Sequence, residues 1–141
     1  MPQAIFAYHL GMDAEQYAFF RIPKLLITEP YFRRLSTDAK LLYGLMLDRM
    51  SLSMRNGWMD DDGHVYIYFT LEEACEQLCC KTDKAVKLFA ELDGAKGVGL
   101  IRRVKRGLGR PAKIYVLRFM GMEDEPGEDT PKAEPPSCRN P

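Results

Sequence analysis

Residues 70–93, TLEEACEQLCCKTDKAVKLFAELD, contain two short amphipathic patterns separated by a break, and this stretch decides the fold. Thr70 followed by Glu73 three residues later matches a capping box, which predicts that a helix begins there. The pattern breaks at Cys80, and Thr82 then provides the N-cap of a second helix. Two helices joined by so short a connection are typical of a helix-turn-helix.

The second of these helices is expected to be apolar on its inner face and basic on its outer face. At 100° per residue, the inner face is assigned to Ala85, Val86, Phe89 and Ala90. Lys84 and Lys87 then fall on the outer face, with Glu91 beside them. Lys81 and Thr82 lie with Lys84 at the leading end of the helix, where the second helix of such a motif meets DNA base edges.

A basic β-hairpin is expected after these helices, with strands at 100–105 and 113–119 joined by the glycine-rich residues 106–111. Its cations are Arg102, Arg103, Lys105, Arg106, Arg110 and Lys113. The Gly-Arg-Pro tip presents Arg110 for an A·T-rich minor groove, and Arg102, Arg103 and Lys113 are expected to contact phosphates. Alternatively, the hairpin is an ordinary exposed one, whose charges discourage aggregation through its edge strands.

A long helix is expected upstream, capped by Ser36 and ended by Asn56-Gly57. It carries apolar residues on more than one face, which predicts that it is central to the fold or shared with a partner subunit. We therefore expect a homodimer formed through this helix and the N-terminal segment. A short edge strand is expected at 19–23, and a longer strand at 64–69.

The predicted order is helix, strand, helix, tight turn, helix, β-hairpin, which defines an α+β fold of the winged helix-turn-helix class with a helical core and a C-terminal wing. The winged-helix DNA-binding domain is placed at 19–120. Residues 1–18 form an N-terminal segment of uncertain structure. Residues 121–141 are rich in Pro, Glu and Asp, and are expected to be a disordered acidic tail.

The charges are strongly segregated along the chain, although the formal net charge is zero. Residues 81–120 hold 11 Lys and Arg against three Asp and Glu, an excess of eight positive charges. Residues 1–80 and 121–141 each carry an excess of four negative charges. A compact basic stretch of this kind indicates a phosphate-binding face.

Several classes of protein are disfavoured by the sequence. No apolar run approaches the roughly 20 residues needed to span a bilayer, and no signal peptide is apparent, so a cytoplasmic protein without membrane contact is expected. Cysteines 75, 79 and 80 crowd into one predicted helix, away from Cys138, and cannot form a spread disulfide framework. Buried, reduced thiols are therefore expected.

Catalytic and metal-binding motifs are also weak. Asp60, Asp61 and Asp62 precede Gly63 and are better explained as a turn than as a magnesium site. The cysteines lack the second ligand pair of a zinc site, and no phosphate-cradling motif precedes a helix. Neither histidine lies in a recognisable catalytic motif. We expect no metal, no cofactor and no enzymatic activity.

Six segments of the chain are similar, in order, to the replication initiator A (RepA) N-terminal family. They are FRIPK (20–24), LSTDAKLLYGLMLDRMSLS (35–53), NGW (56–58), VYI (65–67), VKLFxEL (86–92) and GLGRPxxIYV (107–116). The resemblance covers roughly residues 19–119. Family members often have Asn where Ala112 stands, and fewer glycines than the three between 94 and 99, so the target sequence does not transfer.

The resemblance implies that the chain binds double-stranded DNA at repeated origin sites of a plasmid or related mobile element, as a dimer. It further implies a role as a replication initiator or a regulator derived from one, with host replication proteins as further partners. Initiators of this kind usually carry an additional C-terminal domain. The alternative functions are a winged-helix transcriptional regulator, or a protein-interaction module without initiation activity.

Overall fold

The computed structural model describes residues 2–11 and 17–122. The elements are α1 (Leu25–Thr28), a 3-10 helix (Pro30–Arg34), α2 (Thr37–Arg55), β1 (Tyr66–Ile67), α3 (Leu71–Leu78), α4 (Thr82–Leu92), β2 (Ile101–Val104) and β3 (Lys113–Val116). From α2 onward this is the order of a winged helix-turn-helix, so the predicted α+β class is confirmed. The wing is the hairpin of β2, β3 and their connection. The predicted tail at 121–141 lies almost entirely outside the described residues.

Helix α2 forms where the sequence predicts it. The Ser36 hydroxyl accepts a hydrogen bond from the Ala39 backbone N–H at 3.2 Å, and the last helical residue is Arg55. The helix contacts α3, α4, β1 and β3, which confirms that it is central to the fold. Leu41 and Leu52 nevertheless remain 37% and 46% exposed.

Helix α3 begins with the predicted capping box. The Thr70 hydroxyl accepts from the Glu73 N–H at 3.0 Å, and the Glu73 carboxylate accepts from the Thr70 N–H at 3.0 Å. The helix ends at Leu78, because Cys79 adopts the left-handed conformation with φ of 54°. This single residue redirects the chain into α4, which starts three residues later at Thr82.

The three strands form an antiparallel sheet in the order β1-β3-β2. Ile67 pairs with Ile114, and Ile114 pairs with Arg103. Ile67 and Ile114 are buried and close the core on the sheet side. The buried side chains that fill the core include Leu26, Phe32, Ala39, Leu42, Met46, Ile67, Phe89, Leu92, Ile101 and Ile114.

The structure corrects several predicted boundaries. The strand expected at 19–23 is absent; the segment is irregular, although it packs on α2, where a Cβ at Gly44 would lie 2.9 Å from Ile22 Cγ1. The strand expected at 64–69 contracts to β1, because the chain must leave the sheet to begin α3 at Thr70. The two short helices before α2 were not predicted, and they bury Leu26 and Phe32.

In the described part of the chain, no helix combines the length and the apolar character that crossing a bilayer requires.

Candidate nucleic-acid interface

Helix α4 is rotated about its axis relative to the sequence-based assignment. Its buried residues are Ala85, Leu88, Phe89 and Leu92. Val86, which was expected to be buried, is 48% exposed, so that prediction was wrong. The reason is that the observed inner face buries Leu88 and Leu92. The predicted inner face would have buried the smaller side chains of Val86 and Ala90 in their place. Val86 and Lys87 instead share the exposed outer face.

One flank of α4 contacts the N-terminal end of α2. The Lys84 Nζ lies 2.5 Å from an Asp38 carboxylate oxygen, and this hydrogen bond raises the pKa of Lys84. On the same flank, the Glu91 carboxylate accepts hydrogen bonds from the Ser36 N–H at 2.8 Å and the Ser36 hydroxyl at 2.9 Å. Lys84 is therefore exposed, as predicted, but already paired within the chain.

The leading end and outer face of α4 carry cations that are not paired. Lys81 and Lys87 are exposed, and neither forms an ion pair within the ranges 2–11 and 17–122. Thr82, the first residue of α4, is exposed beside them. Two of these predicted site residues, Lys81 and Thr82, thus lie at the accessible start of the helix, and Lys87 lies on its exposed face further along.

Arg103 of the wing is held against α4. Its Nε lies 2.6 Å from an Asp93 carboxylate oxygen, and its guanidinium carbon lies 5.6 Å from the centre of the Phe89 ring. Asp93 is the C-cap residue of α4. Arg103 therefore links the wing to the end of α4, a structural contact that the sequence did not indicate.

Three further cations of the wing lie over aromatic rings on the outer face of the sheet. Arg102 is 4.8 Å from the Tyr115 ring centre, Arg106 is 5.5 Å from that of Tyr68, and Lys113 Nζ is 4.4 Å from that of Tyr66. Cation–π contacts of this kind hold the side chains in place. The alternating aromatic residues of 64–69 are the sequence signal for this face, although by themselves they predict only a strand.

The tip of the wing carries two further accessible cations. Lys105 and Arg110 are exposed there and make no ion pair to any residue the structure describes. The turn is closed by a hydrogen bond from the Arg110 N–H to the Gly107 carbonyl at 3.3 Å. Gly107 and Gly109 have φ values of +108° and +77°, which favour glycine. Between them, Leu108 is fully exposed.

The turn before β1 places three potential metal ligands together. Asp60, Asp62 and His64 have ligand atoms within 4.8 Å of one another. The Asp60 carboxylate, however, already accepts hydrogen bonds from the His64 N–H, the Asp62 N–H and the Tyr115 hydroxyl. The hydrogen bond from the His64 backbone is the main cause of the lowered pKa of Asp60. These bonds stabilise the turn that the sequence predicted.

The cysteines only partly match the expectation of buried, reduced thiols. Cys75, Cys79 and Cys80 are free, as expected. Cys79, however, is exposed, and the other two are half-buried. The left-handed turn at Cys79 ends α3 and directs this side chain outward. Cys138 lies outside the described residues.

Comparison with known proteins connects this geometry to a family. The family model of the replication initiator protein A (RepA) N-terminus matches residues 18–128. A 41 kDa protein of Lactobacillus helveticus is 31% identical over 106 residues, which are 71% of this chain and 29% of that protein. The chain thus spans less than a third of the length of this relative.

Solved structures share both the fold and part of the sequence. The N-terminal domain of a DNA-binding protein has 30% identity and a TM-score of 0.65, over 84% of this chain and 88% of that one. The structure of a Rep–DNA complex has 31% sequence identity and a TM-score of 0.65, over 83% of this chain and 88% of that one. The structure of an MDR initiator has 29% sequence identity and a TM-score of 0.61, over 79% of this chain and 86% of that one. The chain belongs to the family of replication initiator protein A (RepA) N-terminal domains.

Proposed function

We propose that this chain binds double-stranded DNA sequence-specifically at repeated origin sites, as the DNA-binding part of a plasmid or mobile-element replication initiator. The observation that carries the proposal is the placement, at two points of one winged helix, of cations that form no ion pair with any residue in 2–11 or 17–122. Lys81 is the N-cap residue of α4 and Lys87 lies on the outer face of α4, whereas Lys105 and Arg110 lie at the tip of the wing. The similarity to a solved Rep–DNA complex supports the same function.

The outer face of α4 is suited to the major groove. A B-DNA major groove is wide enough to admit an α-helix, and the N-terminal residues of a recognition helix meet base edges. In α4 these residues are Thr82 and Asp83, followed by Val86 and Lys87 one turn later, all of them exposed. This face combines hydrogen-bonding, charged and apolar groups, which sequence-specific contacts require.

The paired cations have a different role in this proposal. Partners within the chain hold Arg102, Arg103 and Lys113. Of these, Arg103 connects the wing to α4 through Asp93 and Phe89, whereas Arg102 and Lys113 lie over tyrosines of the sheet. An electrostatic contribution to phosphate binding remains available from them, because a cation–π contact or an exposed ion pair does not remove the charge. The unpaired cations are expected to supply most of the salt-dependent affinity.

A homodimer is the second part of the proposal. Large apolar side chains that a single chain leaves exposed support it, because such surfaces usually mark interaction sites. In the N-terminal segment, Ile5, Phe6 and Tyr8 are about nine-tenths exposed. On α2, Leu41 and Leu52 lie eleven residues apart, and so on the same side of the helix. A monomer by light scattering at tens of micromolar, without DNA, would contradict the dimer.

The central experiment is a gel-shift titration with repeats taken from the DNA adjacent to the coding region. Specific binding by the full chain, weakened by Lys87→Ala, is expected. A chain ending at residue 120 tests whether the acidic residues beyond it cover the basic face. If only the shortened chain binds, the basic face serves an internal contact and the proposed function of the full chain fails.

Initiation itself requires a separate test, because the chain covers 29% of its 41 kDa relative. We expect Lys87→Ala to abolish maintenance of a test plasmid that carries the complete gene and its origin, and host replication proteins to be recruited there. The proposal assigns no metal, cofactor or catalytic step to this chain. DNA binding is therefore expected to be unchanged by a chelator such as EDTA.

A further inference from the structure

The tip of the wing carries a leucine that none of the residues described by the structure covers. Leu108 is fully exposed, between two glycines with positive φ. A Cβ added at either Gly107 or Gly109 would have no neighbour within 4 Å, so the glycines leave open space on both sides of the leucine. The apolar side chain therefore projects alone from the end of the hairpin.

The surroundings of Leu108 are cationic. Lys105 and Arg110 are exposed on either side of it, and the half-buried Arg106 donates a hydrogen bond to the Pro111 carbonyl at 3.4 Å. An apolar pocket on another protein would have to desolvate these cations to receive the leucine, which is unfavourable. DNA offers the opposite arrangement, with phosphates along both sides of the minor groove and apolar base faces between the stacked pairs, which an inserted side chain can contact.

We propose that Leu108 inserts as an apolar wedge at a base step in the minor groove, so that the wing distorts the DNA that α4 recognises. This inference rests on the proposed function, since the wedge needs a protein docked on duplex DNA. Proteins that bind the minor groove use leucine in this way, unstacking a step and kinking the duplex toward the major groove. Lys105 contacts a phosphate that flanks the opened step, and Arg110 lies in the groove beside the leucine.

The geometry of the tip favours insertion over simple contact. The hairpin narrows to a turn in which both neighbours of Leu108 lack side chains, so the leucine can advance past the groove edges without a steric conflict from Gly107 or Gly109. An arginine two residues later can remain in the groove beside it, where the negative potential is strong. The wedge and the cation therefore act at adjacent positions.

The test uses a duplex selected by the unaltered full chain from a randomised pool, with 2-aminopurine placed in turn at each adenine position. Unstacking a base raises the fluorescence of 2-aminopurine. The variants are Leu108→Ala and Leu108→Met, and the control is Met120→Ala, which removes another exposed apolar side chain outside the wing. Affinity is measured in parallel by gel shift.

For the unaltered protein and Met120→Ala we expect a fluorescence rise of about twofold or more at one flanking position. Leu108→Ala should lose this rise while its affinity falls by no more than about tenfold, and Leu108→Met should retain it. Normal binding without any rise in the unaltered protein overturns the wedge and leaves the proposed function intact. A fluorescence rise that persists in Leu108→Ala also overturns the wedge, whether or not this variant still self-associates. Failure of the unaltered protein to select any DNA sequence would instead contradict the proposed function.

Discussion

The Glu91 carboxylate of α4 accepts two hydrogen bonds from Ser36, the residue that caps α2. One comes from the backbone N–H and one from the hydroxyl, and the hydroxyl in turn accepts from the Ala39 N–H. Lys84, seven residues before Glu91 and thus on the same flank of α4, pairs with Asp38 in the first turn of α2. The start of α2 therefore contacts one flank of α4 and supports the rotation that buries Leu88 and Leu92.

Replacing Glu91 should lower stability without touching the outer face of α4. Glu91→Ala removes both acceptors for Ser36, and we expect the free energy of unfolding in urea to fall by about 1–2 kcal/mol. Lys87→Ala, on the exposed face of the same helix, is the control and should change it by less than about 0.5 kcal/mol. Equal effects of the two changes would mean that the contact between Glu91 and Ser36 does not form in solution.

The rotation of α4 can be measured with two truncations. Leu88 is 2% exposed, so Leu88→Ala should cost about 2–5 kcal/mol of unfolding free energy. Val86 is 48% exposed, so Val86→Ala should cost less than about 1 kcal/mol. Thermal or urea unfolding of both proteins checks this. A larger loss of unfolding free energy for Val86→Ala than for Leu88→Ala would support the inner face that the sequence alone predicted.

Two lysines on the same helix should differ in DNA binding. Lys87 has no partner among the described residues, whereas Lys84 is already paired with Asp38. Lys87→Ala should weaken binding and, if the side chain contacts a phosphate, reduce the slope of log affinity against log salt by about one unit. Lys84→Ala should alter the slope less. DNA-binding titrations of both variants at several salt concentrations measure these slopes. Identical slopes for the two variants would show that Lys84 and Lys87 do not differ in DNA binding.

Arg110 should contribute most where the minor groove is narrow. A·T tracts narrow this groove and strengthen its attraction for arginine, so Arg110→Ala should reduce affinity more for a core site with A·T flanks than with G·C flanks. Lys105→Ala, from the same tip, is the control and should weaken both sites alike. Binding titrations at fixed salt provide the measurement. Equal losses for Arg110→Ala on both flanks would reduce its role to phosphate contact.

Acid should weaken the connection between α2 and α3. Partial burial raises the pKa of Glu73, but the hydrogen bonds from Arg49 at 2.8 Å and from Thr70 outweigh it and leave this pKa below its ordinary value of 4.5. Because the folded pKa is lowered, the stabilisation is present above pH 4.5 and is lost as the pH falls through the lowered value.

Glu73→Gln should therefore be less stable than the unaltered protein near neutral pH, by at most about 1 kcal/mol for so exposed a pair. The difference should shrink as the pH falls below 4.5, the ordinary pKa of this carboxyl group. Urea unfolding at a series of pH values tests this, with Glu72→Gln on the same helix as the control. A difference that is constant with pH would show that the Glu73 charge does not stabilise the fold.

The local features of this protein were predictable from the sequence. The caps at Ser36 and Thr70 each depend on a residue three positions away, so the amino-acid pattern contains the whole interaction. The basic segment at 81–120 and the glycine-rich turn at Gly107 and Gly109 are also local, and both identified the wing. The order of these elements was sufficient to predict the winged helix.

The tertiary structure decided which side chains of α4 are exposed and which cations form ion pairs. The apolar residues of α4 permit two inner faces, and packing on α2 selects the one that buries Leu88 and exposes Val86. Whether a cation is unpaired depends on residues that lie far away in the chain, as the pairing of Lys84 with Asp38 shows. An interaction between distant residues leaves no periodic or spacing signal in either segment, so the sequence determined the basic segment and the fold determined which of its charges are paired within the chain.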